Sequence, residues 1–182
     1  MAIAPIQRFP DTVLKTPTHP VGEITPRVTR LIEDLIDTMR HHPRCVGLAA
    51  PQIGSGARVA VVDVTSHPKA IVSHGLVILI NPRLVAHEGA SIQREGCLSV
   101  PDFTANVQRA VRVQVSALDR AGRPWTQWFE GFEAIAMQHE IDHLDGQLFL
   151  DRVANLKTDV FRRKRYWLSG EGEQGAQGST AR

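Results

Sequence analysis

Apolar positions in this chain follow two rhythms. Between residues 26 and 42, Val28, Leu31, Ile32, Leu35, Ile36 and Met39 recur at three- and four-residue spacings, which predicts a helix with one buried face. Thr25 stands at the N-cap position and Pro26 at the first helical position, where its missing N–H does no harm; Pro43 ends the run. Further on the rhythm becomes that of strands. RVAVVDV at 58–64 and LVILI at 76–80 are aliphatic runs, and within 109–118 Val111, Val113, Val115 and Ala117 alternate with more polar neighbours. Such alternation predicts antiparallel sheet with one wet face. Asp119–Gly122 reads as a hairpin turn into PWTQWFE.

A second helix is predicted from Phe132 to about Leu144, ending at Gly146, where a left-handed cap suits glycine. A third is predicted over roughly 156–168 and carries the basic run Arg162-Arg163-Lys164-Arg165. RCVGLAAPQIGSG at 44–56 is punctuated by glycine and proline and reads as a loop or short strand. The stretch 169–182 has almost nothing to bury, so a disordered tail is expected. With no repeat and no second apolar core, the expected fold is a single α+β domain over residues 1–168. Its antiparallel sheets pack around a central helix, and a further helix lies at the C-terminal end.

Composition narrows the classes. The 182 residues are 42% hydrophobic and 22% charged, which is ordinary for one globular domain. The longest aliphatic run, Leu76–Ile80, falls far short of the roughly 20 residues a membrane span requires. The first residues show neither a secretory nor a transit pattern, so a cytoplasmic location is expected. Two cysteines, Cys45 and Cys97, are too few for a disulfide framework and read better as a ligand, a nucleophile or core filling. The formal charge of +2 is uneven: residues 151–168 hold six Lys or Arg against two Asp. The basic run is either a solvated face or a contact for phosphate.

The chemistry concentrates at His139-Glu140-Ile141-Asp142-His143, an H-E-x-x-H pattern on the second predicted helix. That spacing sets two imidazoles one turn apart on one face, able to hold a single divalent cation. In such a site water is acidified toward a pKa of about 7 and the glutamate can accept its proton during attack on a carbonyl. The longer metalloprotease pattern fails, because Phe149 stands where its third histidine belongs. Cys97, in the polar turn REGCLSVP, is the better third ligand; one thiolate with two imidazoles leaves a position open for water. A closed structural zinc site of Cys45, Cys97, His139 and His143 is the alternative. His19, His41, His42, His67, His74 and His87 have no ligand spacing and read as solvated.

Val46-Gly47-Leu48-Ala49-Ala50-Pro51-Gln52, Glu95-Gly96-Cys97-Leu98-Ser99 and Gln138-His139-Glu140-Ile141-Asp142-His143, in that order and separation, resemble the bacterial peptide deformylases from about Ile6 to Leu150. The resemblance implies hydrolysis of the formyl group from the N-terminal formyl-methionine of nascent proteins. It implies Cys97, His139 and His143 as metal ligands, Glu140 as general base, and Gln52 with the Leu98 N–H as oxyanion donors. Losing one such donor typically costs about 3 kcal/mol of transition-state stabilisation. It also implies ferrous iron in the cell, with zinc, nickel or cobalt able to occupy the purified protein. Gly47 is expected to let the backbone approach the substrate. Val46, Phe132, Ile135 and Ala136 are expected to wall an apolar methionine pocket, a side chain whose burial is worth roughly 1.5–3 kcal/mol. Glu95 and Arg109 are expected to pair and hold the cysteine turn. For a nascent-chain enzyme the basic run implies contact with ribosomal RNA. The chain departs from the family at Cys45, where a glycine is usual. Either that position needs a left-handed backbone and cysteine is strained, or Cys45 is a small apolar filler. A relative acting on another small N-acyl group, and a silent zinc-stabilised ribosome-binding module, are the competing functions.

Overall fold

The computed structural model describes residues 3–163. Helix α1 spans Pro26–His41 and is followed by β1 (Gly47–Ala49), a short 3-10 turn over Ala50–Ile53, β2 (Val59–Val62) and β3 (Val77–Glu88). Then come β4 (Ser91–Cys97), β5 (Val100–Arg109), β6 (Arg112–Leu118), β7 (Pro124–Glu130), helix α2 (Gly131–Leu144), a 3-10 turn over Phe149–Arg152 and β8 (Val160–Arg162). One sheet has the order β1-β2-β3-β6-β7 and the other β4-β5-β8, with every pairing between strands antiparallel.

Strand β2 explains the layering. All four of its residues are buried, because alternate side chains serve opposite helices. Ala60 and Val62 join Val113, Val115 and Phe129 against Ala134, Met137, Ile141 and Leu144 of α2. Val59 and Val61, with Leu48 and Ile80, meet Ile32, Leu35, Ile36 and Met39 of α1. Helix α1 is thus amphipathic, as its spacing predicts. Helix α2 is buried on nearly all sides, eleven of its fourteen residues lying inside, so its polar side chains are forced into contact with protein rather than water. A third apolar cluster of Leu14, Val100, Ala105, Val107, Leu148 and Phe149 sits under the smaller sheet beside Cys97.

The expected α+β architecture around a central metal-motif helix is present, with differences at particular segments. Strand β3 continues eight residues past Ile80, across Asn81-Pro82. Asn81 takes a left-handed φ of 53° there, and its amide bonds both backbone groups of Val21 at 2.8 Å, so tertiary contacts carry the strand through an apparent turn. The polar segment around Cys97 is the tip of a long hairpin, β4–β5, and the predicted 109–118 strand breaks at Ala110-Val111.

The third helix is corrected over the described residues. Asn155–Asp159 forms a turn, with Lys157 N–H donating to Asn155 Oδ1, and Val160–Arg162 pairs with Phe103–Ala105 as β8. The free edge of β5 offers ladder hydrogen bonds to a Val-Phe pair of high strand propensity, which outweighs a marginal helical pattern. The rest of that predicted helix and the expected disordered tail lie outside the described residues. No helix among the described residues is long and apolar enough to cross a membrane.

Candidate metal centre

Helix α2 delivers His139 and His143 from successive turns, and the β4–β5 hairpin delivers Cys97 against them. One donor atom from each of the three lies within 4.8 Å of the others. Cys97 Sγ is 3.2 Å from His143 Nε2, and His139 turns its Nδ1 away to Glu95 Oε2 at 2.8 Å, leaving Nε2 as its ligand atom. The two rings meet edge to face at 5.0 Å. Phe149, the residue that blocks the longer motif, is buried and stacks near His139 with ring centroids 6.3 Å apart.

Electrostatics at the triad favours a cation. Burial works against ionising Cys97, but the His143 and His139 rings outweigh it and hold the thiol well below its usual value. A buried thiolate set beside two imidazoles is a donor set suited to a divalent metal. Among the described residues, Glu140 Oε2 and His143 Nδ1 are the buried side-chain atoms of this site without a hydrogen-bond partner. Glu140 is 4% exposed, and burial pushes its carboxyl up to about 7, with the histidines pulling the other way. An unpartnered carboxylate beside three soft and borderline donors fits a catalytic metal with one open position.

The supports of the triad were legible only in part. Arg109 bonds Glu95 through Nε at 2.6 Å and Nη2 at 3.0 Å, as expected. It also reaches Asp142 at 2.6 Å, and Asp142 in turn holds Arg152 at 2.6 Å. Burial raises the Glu95 carboxyl, but hydrogen bonds from His139 and Arg109 outweigh it and bring it to about 2, so it stays ionised and fixes the His139 ring. Asp142 sits inside the H-E-x-x-H pattern, which was the one available hint; nothing in the sequence marked Arg152.

Gln52, 2% exposed, accepts from the Ala49 N–H at 2.9 Å through Oε1. Its Nε2 is thereby aimed at Cys97 Sγ (3.3 Å) and Ser99 Oγ (3.2 Å). Ser99 is fully buried and was not singled out by sequence reasoning, although it lies in the cysteine motif. Gly47 has a different neighbour from the one expected. A Cβ there would lie 2.5 Å from Glu140 Oε1 and 2.9 Å from its Cδ, so glycine makes room for the glutamate.

Val46, Gly47, Gln52, Cys97, Leu98, Phe132, Ile135, Ala136, His139 and Glu140 share one cleft of about 840 Å³. His143, 1% exposed, does not line it. Ala136 also belongs to the main core, and Val46 and Phe132 pack against it. Two histidines read as solvated are engaged instead: His67 stacks on Phe132 at 4.1 Å, and His74 bonds the buried Glu133 at 2.7 Å. Cys45 lines the cleft but is not among the clustered donors, so a closed four-ligand zinc site does not form. Its backbone is not left-handed; among non-glycine described residues only Arg44 and Asn81 are. Its thiol, pushed up to about 12 by burial and the nearby Glu140, donates to Gly47 O, which makes it a filler.

The sequence model of the polypeptide deformylase family matches residues 3–159. A peptide deformylase of Alkalilimnicola ehrlichii is 42% identical over 182 residues, covering 100% of this chain and 99% of that one. One from Thermodesulfovibrio yellowstonii is 42% identical over 164 residues, 90% of this chain and 97% of its own. Among solved structures, a Legionella pneumophila peptide deformylase superposes with a TM-score of 0.78 at 41% identity, over 86% of this chain and 89% of that one. A Met-Ala-Ser-bound class I type b peptide deformylase from Acinetobacter baumannii gives 0.77 at 32% identity, over 84% of this chain and 99% of its own.

Proposed function

The chain belongs to the polypeptide deformylase family, and from that premise we propose how its cleft removes the formyl group from the N-terminal formyl-methionine of nascent peptides, releasing formate. The reading is carried by one observation: the Cys97 and His139 donors, the unpartnered Glu140 Oε2 and the aimed Gln52 amide share one cleft, with the buried His143 donor clustered on the first two.

Cys97 Sγ and the Nε2 atoms of His139 and His143 would hold one divalent cation. When bound, that cation supplies a Lewis acid that acidifies water and polarises a carbonyl oxygen. Glu140 takes the proton from the attacking water at Oε2 and gives it to the departing amide nitrogen, a shuttle for which a carboxyl near neutrality is suited. Gln52 Nε2 and the Leu98 N–H donate to the oxygen of the tetrahedral species. Val46, Phe132, Ile135 and Ala136 receive the methionine side chain. Glu95, held by Arg109, keeps the His139 ring in the tautomer whose Nε2 is free to act as a ligand.

The metal in the cell is proposed to be ferrous iron, supported by family membership; the thiolate and imidazole donors suit iron and zinc alike, and affinity order does not select between them. Contact with ribosomal RNA through Arg162–Arg165 is part of the same reading, supported by charge. The deciding experiment measures formate release from formyl-Met-Ala-Ser by anaerobically prepared protein and its Glu140→Gln variant. Turnover by the parent, with at least about 10³-fold less from a variant that keeps its metal, is expected. A folded, metal-loaded parent that releases no formate, or acts equally on the acetyl peptide, overturns it.

A further inference from the structure

Among the described residues, every exposed charge that lines the cleft is positive. Arg44 precedes β1, Lys69 lies on the connection between β2 and β3, Arg94 is on β4, and Arg162 and Arg163 close β8; all five line the cleft and all are exposed. The carboxylates among the described lining residues are Glu95 and Glu140, 7% and 4% exposed, the first already bound to Arg109 and His139. The cations come from the sides of both sheets. Neither Arg44 nor Lys69 is ion-paired to another described residue. The Arg94 guanidinium lies 3.4 Å from the Phe161 ring and Lys69 Nζ 6.0 Å from that of Phe132, contacts that hold each charge at the wall while leaving donors for an anion.

We propose that this cleft selects peptides carrying aspartate or glutamate in the residues that follow the formyl-methionine. The inference rests on the deformylase reading of the cleft and names a substrate preference within it. Three extended residues span about 10 Å, enough to carry side chains from the donor triad past the cleft wall. A nucleic-acid face presents its cations outward along a stripe, whereas Arg44, Lys69 and Arg94, which lie outside the 162–165 run, border a concavity shared with Gly47, Leu98 and the ligand helix. The anion placed to meet them is one borne by the peptide. Individual exposed pairs are weak and screened by salt, so the preference is a several-fold effect that disappears as ionic strength rises.

The test compares kcat/KM for C-terminally amidated formyl-Met-Asp-Glu, formyl-Met-Ala-Ser and formyl-Met-Lys-Lys on the metal-loaded full chain, at about 0.02 M and about 0.5 M salt. At low salt the acidic peptide is expected to exceed the basic one by about five-fold or more, mainly through KM, and the ratio is expected to collapse at high salt. The Arg44→Glu and Lys69→Glu double variant, whose residues lie outside the 162–165 run, is expected to reverse the order of the two charged peptides. Equal rates on all three peptides overturn the proposal while leaving the deformylase reading intact, and assign the cations to another polyanion such as RNA. A salt-independent ratio also overturns it. Failure to hydrolyse any of the three overturns the deformylase reading itself.

Discussion

Two residues at the site are defined by single contacts. Gly47 is held to glycine by the Glu140 carboxylate, which a methyl group would meet at 2.5 Å. Gly47→Ala is therefore expected to displace the proposed base and lower kcat by about 10²-fold, with KM and bound metal little changed, as formate-release kinetics and metal analysis would show. Parent-like turnover would mean that Glu140 moves aside freely and that its position is not what glycine protects. Gln52 is the other case. Because Ala49 N–H takes its Oε1, only the amide nitrogen remains to face Cys97, so one backbone hydrogen bond sets which end of the side chain faces the donor triad. The resemblance pointed to both residues; the reason for Gly47 was not legible in the sequence, since Glu140 approaches it only after β1 packs on α2, whereas the Gln52 contact with Ala49 is local to the 3-10 turn over Ala50–Ile53.

At the scale of elements, the site depends on clamping the β4–β5 hairpin to α2. Arg109, 4% exposed at the end of β5, bridges Glu95 on β4 and Asp142 on α2. Breaking such a buried arrangement from one side leaves uncompensated charge and typically costs about 3–5 kcal/mol. Arg109→Leu is expected to lose stability on that order in urea unfolding, with His139 released from its tautomer and metal affinity reduced. A change below about 1 kcal/mol would show that Arg152 and solvent take over the carboxylates. The long hairpin itself was hidden, because β4 and the outer part of β5 carry arginine, glutamate, glutamine and aspartate in place of a regular apolar alternation. The misread third helix has the same origin: an open sheet edge, invisible in local sequence, recruits Val160–Arg162.

For the molecule as a whole, the question is what the metal holds together. The main core runs between the larger sheet and α2 and is made of aliphatic and aromatic side chains, independent of the donor triad. Chelation is therefore expected to abolish formate release while leaving the far-UV circular dichroism largely intact; concerted loss of both would make the metal structural. Reloading the stripped protein with iron, nickel or zinc is expected to restore activity that decays in air fastest for iron, since oxidation of the metal and of its thiolate ligand are then coupled. Reversing the four charges of Arg162–Arg165 is expected to reduce ribosome co-sedimentation at low salt, and unchanged co-sedimentation would remove that partner. By itself the sequence determined the amphipathic face of α1, the span of α2, the i and i+4 histidines and the cysteine of the second motif. These are local matters of periodicity and donor chemistry, written in neighbouring residues. The tertiary structure alone decided that Gly47 makes room for Glu140, that Arg109 joins two buried carboxylates, that β8 is a strand and that five cations border one cleft. Each of these is a meeting of segments far apart in the chain, and such meetings follow from how apolar faces and sheet edges are satisfied across the whole fold.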